Sequence, residues 1–185
     1  MSKVKCGIAI SVDNCVAGHN MTEEHPFGDM PQNWLHQWMF DEPKKHKAEL
    51  DSLLDAGAFI MGRNMFGPSG GDYDTTWRGW WGEEPPYHGP VFVLTHRPRA
   101  AIPMQGGTTF YFVTDGIESA LRQAREAAGE RDVSIAGGAN VVNQYLAAGL
   151  LDELWLHVVS KIYGDGKRLF EGTSMRELEV LDVRS

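Results

Sequence analysis

Short apolar runs alternate with amphipathic stretches along most of the chain. Apolar runs bounded by Gly, Pro, Asn or Asp are typical of buried strands, and apolar residues at a spacing of three and four are typical of helices. The runs predict strands at residues 4–10, 58–61, 91–95, 109–114, 133–136, 154–162 and 177–183. The helical spacing predicts helices at residues 34–39, 44–54, 117–128 and 140–148, with a short helix after Gly62. Because strands and helices alternate through the second half, the pattern predicts an α/β fold.

Local signals mark several of the predicted boundaries. Asp115 is placed to cap the helix at 117–128, and Gly57 and Gly149 are suited to end the helices before them. Two long regions show no period, at residues 17–32 and 67–90. We expect the first to be a mobile loop. Such stretches in a compact domain are usually either functional or disordered.

Length, charge and cysteine content narrow the class of protein. The 185 residues predict one domain over the whole sequence, large enough to bury a core. Seventeen basic against 25 acidic residues give a net charge of −8, which disfavours nucleic acid and anionic membranes as partners. Two cysteines do not form a disulfide framework. Without a leader pattern or a long apolar run, we expect a cytoplasmic protein.

The strongest chemical signal is the segment from Val133 to Gly149, in which a predicted strand runs into Gly137-Gly138 and then a helix. The first N–H groups of a helix and the positive end of its dipole favour anions. Glycines let a diphosphate approach the backbone, although the spacing differs from the G-x-G-x-x-G fingerprint. The alternative is a tight turn with no ligand, and the motif by itself does not decide between the two.

Two further strand ends carry a glycine or basic residues. Gly62-Arg63 follows the strand at 58–61, and Thr95-His96-Arg97 follows the strand at 91–95. Arginine forms charge-assisted bonds to phosphate, and arginine with a hydroxyl group suits the 2′-phosphate that distinguishes NADPH from NADH. The alternative is that these are solvated arginines at ordinary turns. Ligands of open α/β sheets lie beyond the carboxyl ends of strands, so one cleft could collect all three segments.

As a set, these segments resemble the dihydrofolate reductase-like reductases, a family that includes the reductase domain of bacterial riboflavin biosynthesis. The matching pieces are Ser11-Val12-Asp13, Met61-Gly62-Arg63, Leu94-Thr95, Gly137-Gly138-Ala139-Asn140 and the run from Ala147 to Phe170. The resemblance covers nearly the whole chain. It implies a three-layer sandwich with a mainly parallel central sheet, a homodimer, and often a cis peptide at the paired glycines. It also implies NADPH bound by Gly62, Arg63, Asn64 and Met65, by Thr95, His96 and Arg97, and by Gly137, Gly138, Ala139, Asn140 and Val141.

The resemblance also places Asp13 near the nicotinamide, where it could orient a substrate or relay a proton. The alternative is that Asp13 caps its own turn. The family usually has Gly after this aspartate, whereas this chain has Asn14, a residue that tolerates a left-handed backbone. Relatives usually carry a further strand after the one predicted at 177–183. The sequence ends at Ser185, so either that strand lies beyond it or another chain completes the edge.

Substrate signals are weaker than cofactor signals. Dihydrofolate reductases proper carry a carboxylate on the helix after the first loop, and the predicted helix at 34–39 has none, which argues against folate. Trp34, Trp38 and Trp81 could stack on a pterin-like or flavin-precursor-like ring, or could pack long loops onto the core. No histidine spacing predicts a metal site, and no G-x-S-x-G predicts a hydrolase. Two hypotheses remain: an NADPH-dependent reductase of a small heteroaromatic or carbonyl compound, and a catalytically silent nucleotide-binding or assembly protein.

Overall fold

The computed structural model describes residues 2–68 and 76–184, so residues 69–75 of the predicted irregular region lie outside the described residues. The strands are β1 (Val4–Ser11), β2 (Cys15–Ala17), β3 (Ala58–Gly62), β4 (Pro90–Leu94), β5 (Ile102–Pro103), β6 (Thr109–Val113), β7 (Val133–Gly137), β8 (Glu153–Val159) and β9 (Lys167–Arg168). The helices are α1 (Gln37–Asp41), α2 (Lys47–Leu54), α3 (Arg63–Phe66), α4 (Ile117–Ala128) and α5 (Ala139–Ala147).

Seven strands form one central sheet in the order β5-β6-β4-β3-β7-β1-β8. Its pairs are parallel except β5 with β6, while β2 and β9 form a separate antiparallel pair. The expected α/β class with a mainly parallel sheet is therefore confirmed. Parallel strands bring their carboxyl ends to the same edge, and this edge carries the residues discussed below.

The centre of the sheet is covered on both faces, which explains why its central strands are largely apolar. All five residues of β3 are buried: Ala58 and Ile60 face the core shared with α4 and α5, and Phe59 and Met61 face the opposite core. On that opposite side α2 approaches closely, since a Cβ added at Gly7 would lie 2.4 Å from Leu53 Cδ2.

Several predicted boundaries differ from the observed ones. The helix predicted at 34–39 begins only at Gln37, because Trp34 and Leu35 lie in turns whose backbone bonds run from Trp34 N to Pro31 O and from His36 N to Asn33 O. Asp115 does not cap α4, since Gly116 is the N-cap residue and no side chain fills that role.

The strand predicted at 177–183 was wrong. This segment forms no strand, and its apolar side chains, including Leu178 and Val180, are exposed. Its ends touch the rest of the chain through side chains: Arg176 donates to the carbonyl of Ala147, and the Arg184 guanidinium lies 5.6 Å from the ring centroid of Trp155. Alternating apolar residues favour a strand only when a neighbouring strand supplies its hydrogen bonds.

Ala17 ends β2, and residues 18–32 form turns and bends, folded so that Gly18 N donates to Phe27 O at 2.9 Å. This segment and the following turn contribute Met30 and Leu35 to a small core with Ala9 and Cys15. The His36 ring borders this core, 4.9 Å from the Phe27 ring, and its Nδ1 is buried.

We expect His36 to make the fold less stable in mild acid. Burial lowers the pKa of His36 to about 4, so the folded chain holds a neutral imidazole while the unfolded chain titrates near the ordinary value. The contribution of His36 to the free energy of unfolding is fully present above about pH 6.5. It falls as the pH decreases toward 4, by about 2 kcal/mol after allowing for partial exposure. Thermal unfolding as a function of pH will test this. The variant His36→Phe should reduce the dependence of the melting temperature on pH, and the control His25→Gln, at an exposed site, should not. The same dependence on pH in the parent and in His36→Phe would contradict the prediction.

Candidate functional site

The structure brings the three glycine and basic segments to one edge of the sheet. In register, Gly62 of β3 lies opposite Leu94 of β4, and Met61 lies opposite Gly137 of β7. Arg63 and Thr95 are therefore the first residues beyond neighbouring parallel strands. The site is built from strand ends that are fixed by the sheet, while the residues after them begin helices α3 and α5 or a loop.

Backbone packing explains the glycines of this site. A Cβ at Gly62 would lie 2.9 Å from Val141 Cγ2 and 3.8 Å from the Gly138 amide nitrogen. Gly137 has a φ of +119°, and a Cβ there would lie 3.4 Å from the Met65 sulfur. Both positions therefore need glycine for the local packing or backbone conformation. The peptide bond between Gly137 and Gly138 is cis, as the resemblance implies.

Gly138 differs from the other two glycines because nothing lies within 4 Å of the position its Cβ would take. Its backbone is extended, with φ −79° and ψ −165°, and it is the N-cap residue of the nine-residue helix α5. Its carbonyl accepts from Val141 N at 3.0 Å and from Val142 N at 3.2 Å. The open face of Gly138 thus lies beside the first amides of a helix, where an anion is favoured.

We call Gly62, Gly137, Gly138 and the first turn of α5 the cradle. Basic residues follow the neighbouring strands β3 and β4 at the same edge of the sheet. Arg63 Nη1 donates to Asn64 Oδ1 at 3.3 Å and to the carbonyl of Pro68. Thr95 Oγ1 accepts from the amide of Arg97 at 3.2 Å, so the hydroxyl group shapes the turn after β4. His96 and Arg97 are exposed. Arg63 and Arg97 therefore follow the strand ends at the same sheet edge as the glycines, and neither is buried.

Arg99 anchors the loop that carries these residues. Its guanidinium carbon lies 5.4 Å from the ring centroid of Phe112 and 6.0 Å from that of Phe66. Such stacking of a cation on aromatic faces favours one position of the loop. Arg99 follows Arg97 by two residues, and the sequence does not separate an anchoring arginine from one that faces a ligand.

β1 and β7 are paired only near their amino-terminal ends. β1 pairs with β8 along seven residues, but with β7 only at Val4 opposite Val133 and Lys5 opposite Ser134. We call the unpaired border of these two strands, beside Gly137, the opening between β1 and β7. Ile8 lies on this border, since its Cδ1 is 3.8 Å from the Cβ position of Gly137. The side chain on this border next to the cradle is therefore apolar.

Asp13 is held by its own surroundings. Its Oδ1 accepts from Ser11 Oγ at 2.6 Å and from Tyr163 N at 3.0 Å, and its Oδ2 accepts from Gly164 N at 2.7 Å. The Ser11 hydroxyl, followed by the two backbone amides, holds the pKa of Asp13 far below its usual range. Asn14 has a φ of 70°, the left-handed conformation expected of it. Asp13 is therefore ionised near neutral pH and has no proton to give.

The three predicted substrate tryptophans do not come together. Trp34 packs on Tyr163, with ring centroids 5.7 Å apart, and Trp38 stacks on His157 at 5.0 Å. Trp81 belongs to a different core, where it stacks on Phe110 at 5.9 Å. In these contacts Trp38 and Trp81 pack a helix and a loop onto the sheet, and Trp34 packs one loop against another.

Residues that sequence reasoning missed include Ile8, Lys161, Tyr163 and Gly164. The last three lie in a run that carried the family resemblance, but their contacts with residues near the amino terminus leave no local pattern. Within residues 2–68 and 76–184, no helix is long and apolar enough to cross a bilayer. In the same residues no three His, Cys, Asp or Glu side chains are grouped to hold a metal ion.

Comparison with known families and structures agrees with this architecture. The family model described as the RibD C-terminal domain matches residues 2–185. No curated protein matches the chain significantly.

Three solved structures share the fold. A protein from Shewanella sp. PV-4, provisionally named a riboflavin biosynthesis protein, is 20% identical with a TM-score of 0.59, over 97% of this chain and 90% of that one. A diaminohydroxyphosphoribosylaminopyrimidine deaminase/5-amino-6-(5-phosphoribosylamino)uracil reductase from Thermotoga maritima is 18% identical with a TM-score of 0.57, over 100% of this chain and 51% of that one. Dihydrofolate reductase from Enterococcus faecalis, complexed with NADP(H) and RAB-propyl, is 15% identical with a TM-score of 0.53, over 92% and 78%.

Proposed function

Because the chain belongs to the RibD C-terminal domain family, we propose that it is an NADPH-dependent reductase of a small heteroaromatic or carbonyl compound. A pterin-like or a pyrimidine- or flavin-precursor-like ring is the expected heteroaromatic substrate. Solved structures of this fold include a uracil-type reductase and a dihydrofolate reductase bound to NADP(H). We also propose that the protein acts in the cytoplasm, and that it forms a homodimer, as the resemblance implies.

The observation that carries this proposal is the open face of Gly138 at the start of α5. The position of its missing Cβ has no neighbour within 4 Å, whereas the Cβ positions of Gly62 and Gly137 do have neighbours. Open space is also found at Gly149, and what distinguishes Gly138 is that its open space lies at the amino-terminal end of α5. A diphosphate fits there, because it needs both backbone approach and unpaired N–H donors.

The neighbouring segments suit the remaining parts of the cofactor. Arg63 to Met65 and Thr95 to Arg97 begin at adjacent strand ends, where a hydroxyl and cationic side chains suit a 2′-phosphate. When bound, NADPH supplies the hydride. The protein supplies orientation: Ala139, Asn140 and Val141 begin the helix beside the diphosphate, and the apolar side chain of Ile8 lies next to Gly137.

The opening between β1 and β7 suits a flat ring. It is bordered by Ile8 and by the Met65 sulfur, which lies next to the Gly137 backbone. We propose that a ring stacks here against apolar side chains with water largely excluded. Asp13, being ionised, could orient a donor group of the substrate, and a proton would have to come from another source.

NADPH titration followed by intrinsic NADPH fluorescence tests the proposal. We expect saturable binding of NADPH, and binding of NADH weaker by about tenfold or more, a difference of at least about 1.4 kcal/mol. NADPH oxidation is then followed at its near-ultraviolet absorbance with a panel of pterins, pyrimidine and flavin precursors, and simple carbonyl compounds. Turnover of one class would identify the substrate. Tight binding without any turnover would favour the silent nucleotide-binding protein, and no binding would contradict the cofactor assignment.

A further inference from the structure

The loop between β8 and β9, residues 160–166, is held by two oppositely charged side chains. On one side Asp13 accepts from the amides of Tyr163 and Gly164 at 3.0 and 2.7 Å. The backbone reinforces this side, since Val12 N donates to Lys161 O at 2.8 Å. The turn after β1 and the loop after β8 therefore form one unit, although 150 residues separate Asp13 from Tyr163.

Lys161 holds the other side of the same loop. Its ammonium nitrogen donates to the carbonyl of Trp34 at 2.7 Å and to the Gln37 side-chain oxygen, and it lies 5.0 Å from the Trp34 ring centroid. The Trp34 ring in turn packs against Tyr163. An ammonium has three donors, and here two of them are used on Trp34 and on Gln37, the first residue of α1. This is not the geometry of a solvated surface lysine.

These contacts matter because the connection from β2 to α1 has little other regular structure. Residues 18–36 contain neither helix nor strand. Met30 and Leu35 pack in a small core, and the backbone hydrogen bonds of this segment are confined to turns and loop contacts, such as that from Gly18 N to Phe27 O. Segments with few backbone ladders open at low free energy. A single strong anchor at the end of such a connection therefore has a large effect on its position.

We propose that Lys161 and Asp13 are positioning residues, a clamp that fixes the turn at residues 33–37 and the turn after β1 against the 160–166 loop. The turn after β1 follows the strand that borders the opening between β1 and β7, so the clamp sets the shape of the substrate side and leaves the cofactor side alone. The division of the site into a substrate side and a cofactor side rests on the proposed function. The clamp itself is a property of the fold and is testable without any ligand.

Amide hydrogen exchange of the full chain without cofactor tests the clamp. The variant Lys161→Met keeps most of the side-chain stem and removes the charge and the donors. We expect exchange in residues 18–37 and 160–166 to rise about tenfold or more while α4, α5 and the central strands are unchanged. Lys161→Arg keeps a cation that can donate and stack, so it should restore most of the protection. Lys47→Met is the matched control, because Lys47 pairs with Asp51 on the exposed surface of α2.

Unchanged exchange in Lys161→Met, or a rise spread evenly over the whole chain, would overturn the proposal. Asp13→Asn gives a second arm: we expect faster exchange in residues 12–15 and 160–164, with less than additive effects in the double variant. NADPH titration of the same proteins separates this idea from the proposed function. Lys161→Met should bind NADPH within about twofold of the parent, since the two sites share no residue. Absence of NADPH binding in the parent would contradict the proposed use of NADPH. The hydrogen-exchange result would still test whether Lys161 and Asp13 act as a clamp.

Discussion

Replacing Gly138 with valine is expected to weaken NADPH binding by about 100-fold or more and to leave the fold intact. The backbone at Gly138 is extended, with φ −79°, so an L-residue is sterically allowed. Its side chain would enter open space rather than the core. That space lies beside the first amides of α5, where the diphosphate should lie, and a steric block there removes several charge-assisted bonds worth about 1.5–3 kcal/mol each.

The measurement pairs NADPH titration with thermal unfolding. For Gly138→Val we expect a melting temperature within about 4 °C of the parent, the change that about 1 kcal/mol produces at this chain length. Gly149→Ala is the matched control at the opposite end of α5. It also faces open space, but its φ of +67° costs stability while NADPH binding should be retained. Normal NADPH affinity in Gly138→Val would show that the open face is not the diphosphate site.

Gly137→Val is a less informative variant, although the same motif suggests it. The φ of +119° is strained for valine, and the Met65 sulfur lies 3.4 Å from the new Cβ. We therefore expect loss of both stability and binding, which does not separate a ligand site from a packing requirement. The sequence alone makes the two glycines look equivalent. The backbone geometry shows that Gly137 is required by its conformation, whereas Gly138 borders open space.

The central elements were predictable because their environments are uniform. β3 is buried on both faces and β7 nearly so, and their sequences are apolar runs closed by glycine, interrupted in β7 by the buried Ser134. The helix predicted at 117–128 agrees with α4, since its buried residues recur at helical spacing. Parallel pairing then brings the three glycine and basic segments to one edge. The arrangement of the candidate cofactor site thus follows from patterns that are local in sequence.

The contacts of Asp13 and Lys161 could not be predicted in the same way. They join residues separated by 150 and 127 positions, and no periodicity encodes such pairs. β2 and β9, of three and two residues, are too short to carry a period. The tryptophans show a related limit. Their density suggests one stacking surface, but Trp34 and Trp81 pack in different cores, because an indole serves equally well to fix a loop.

The second large effect concerns the choice between NADPH and NADH. Arg97 is exposed after β4, beside the Thr95 hydroxyl that shapes the turn. In a chain of net charge −8, this local cationic group is the expected partner of the 2′-phosphate. We expect Arg97→Gln to weaken NADPH binding by about 10- to 100-fold, equivalent to one charge-assisted bond, and to change NADH binding by less than about threefold.

Two neighbouring arginines provide the controls for this measurement, which compares dissociation constants for both nucleotides by fluorescence. Arg99→Gln removes the stacking on Phe112 and Phe66, so we expect lower thermal stability with the NADPH-to-NADH ratio retained. Arg63 also braces the chain by donating to Pro68, so Arg63→Gln should weaken both nucleotides. Since a 2′-phosphate contact is electrostatic, the Arg97 effect should shrink as salt is raised. An equal loss for NADPH and NADH in Arg97→Gln would place the 2′-phosphate elsewhere, because only a residue that meets this group can alter the ratio.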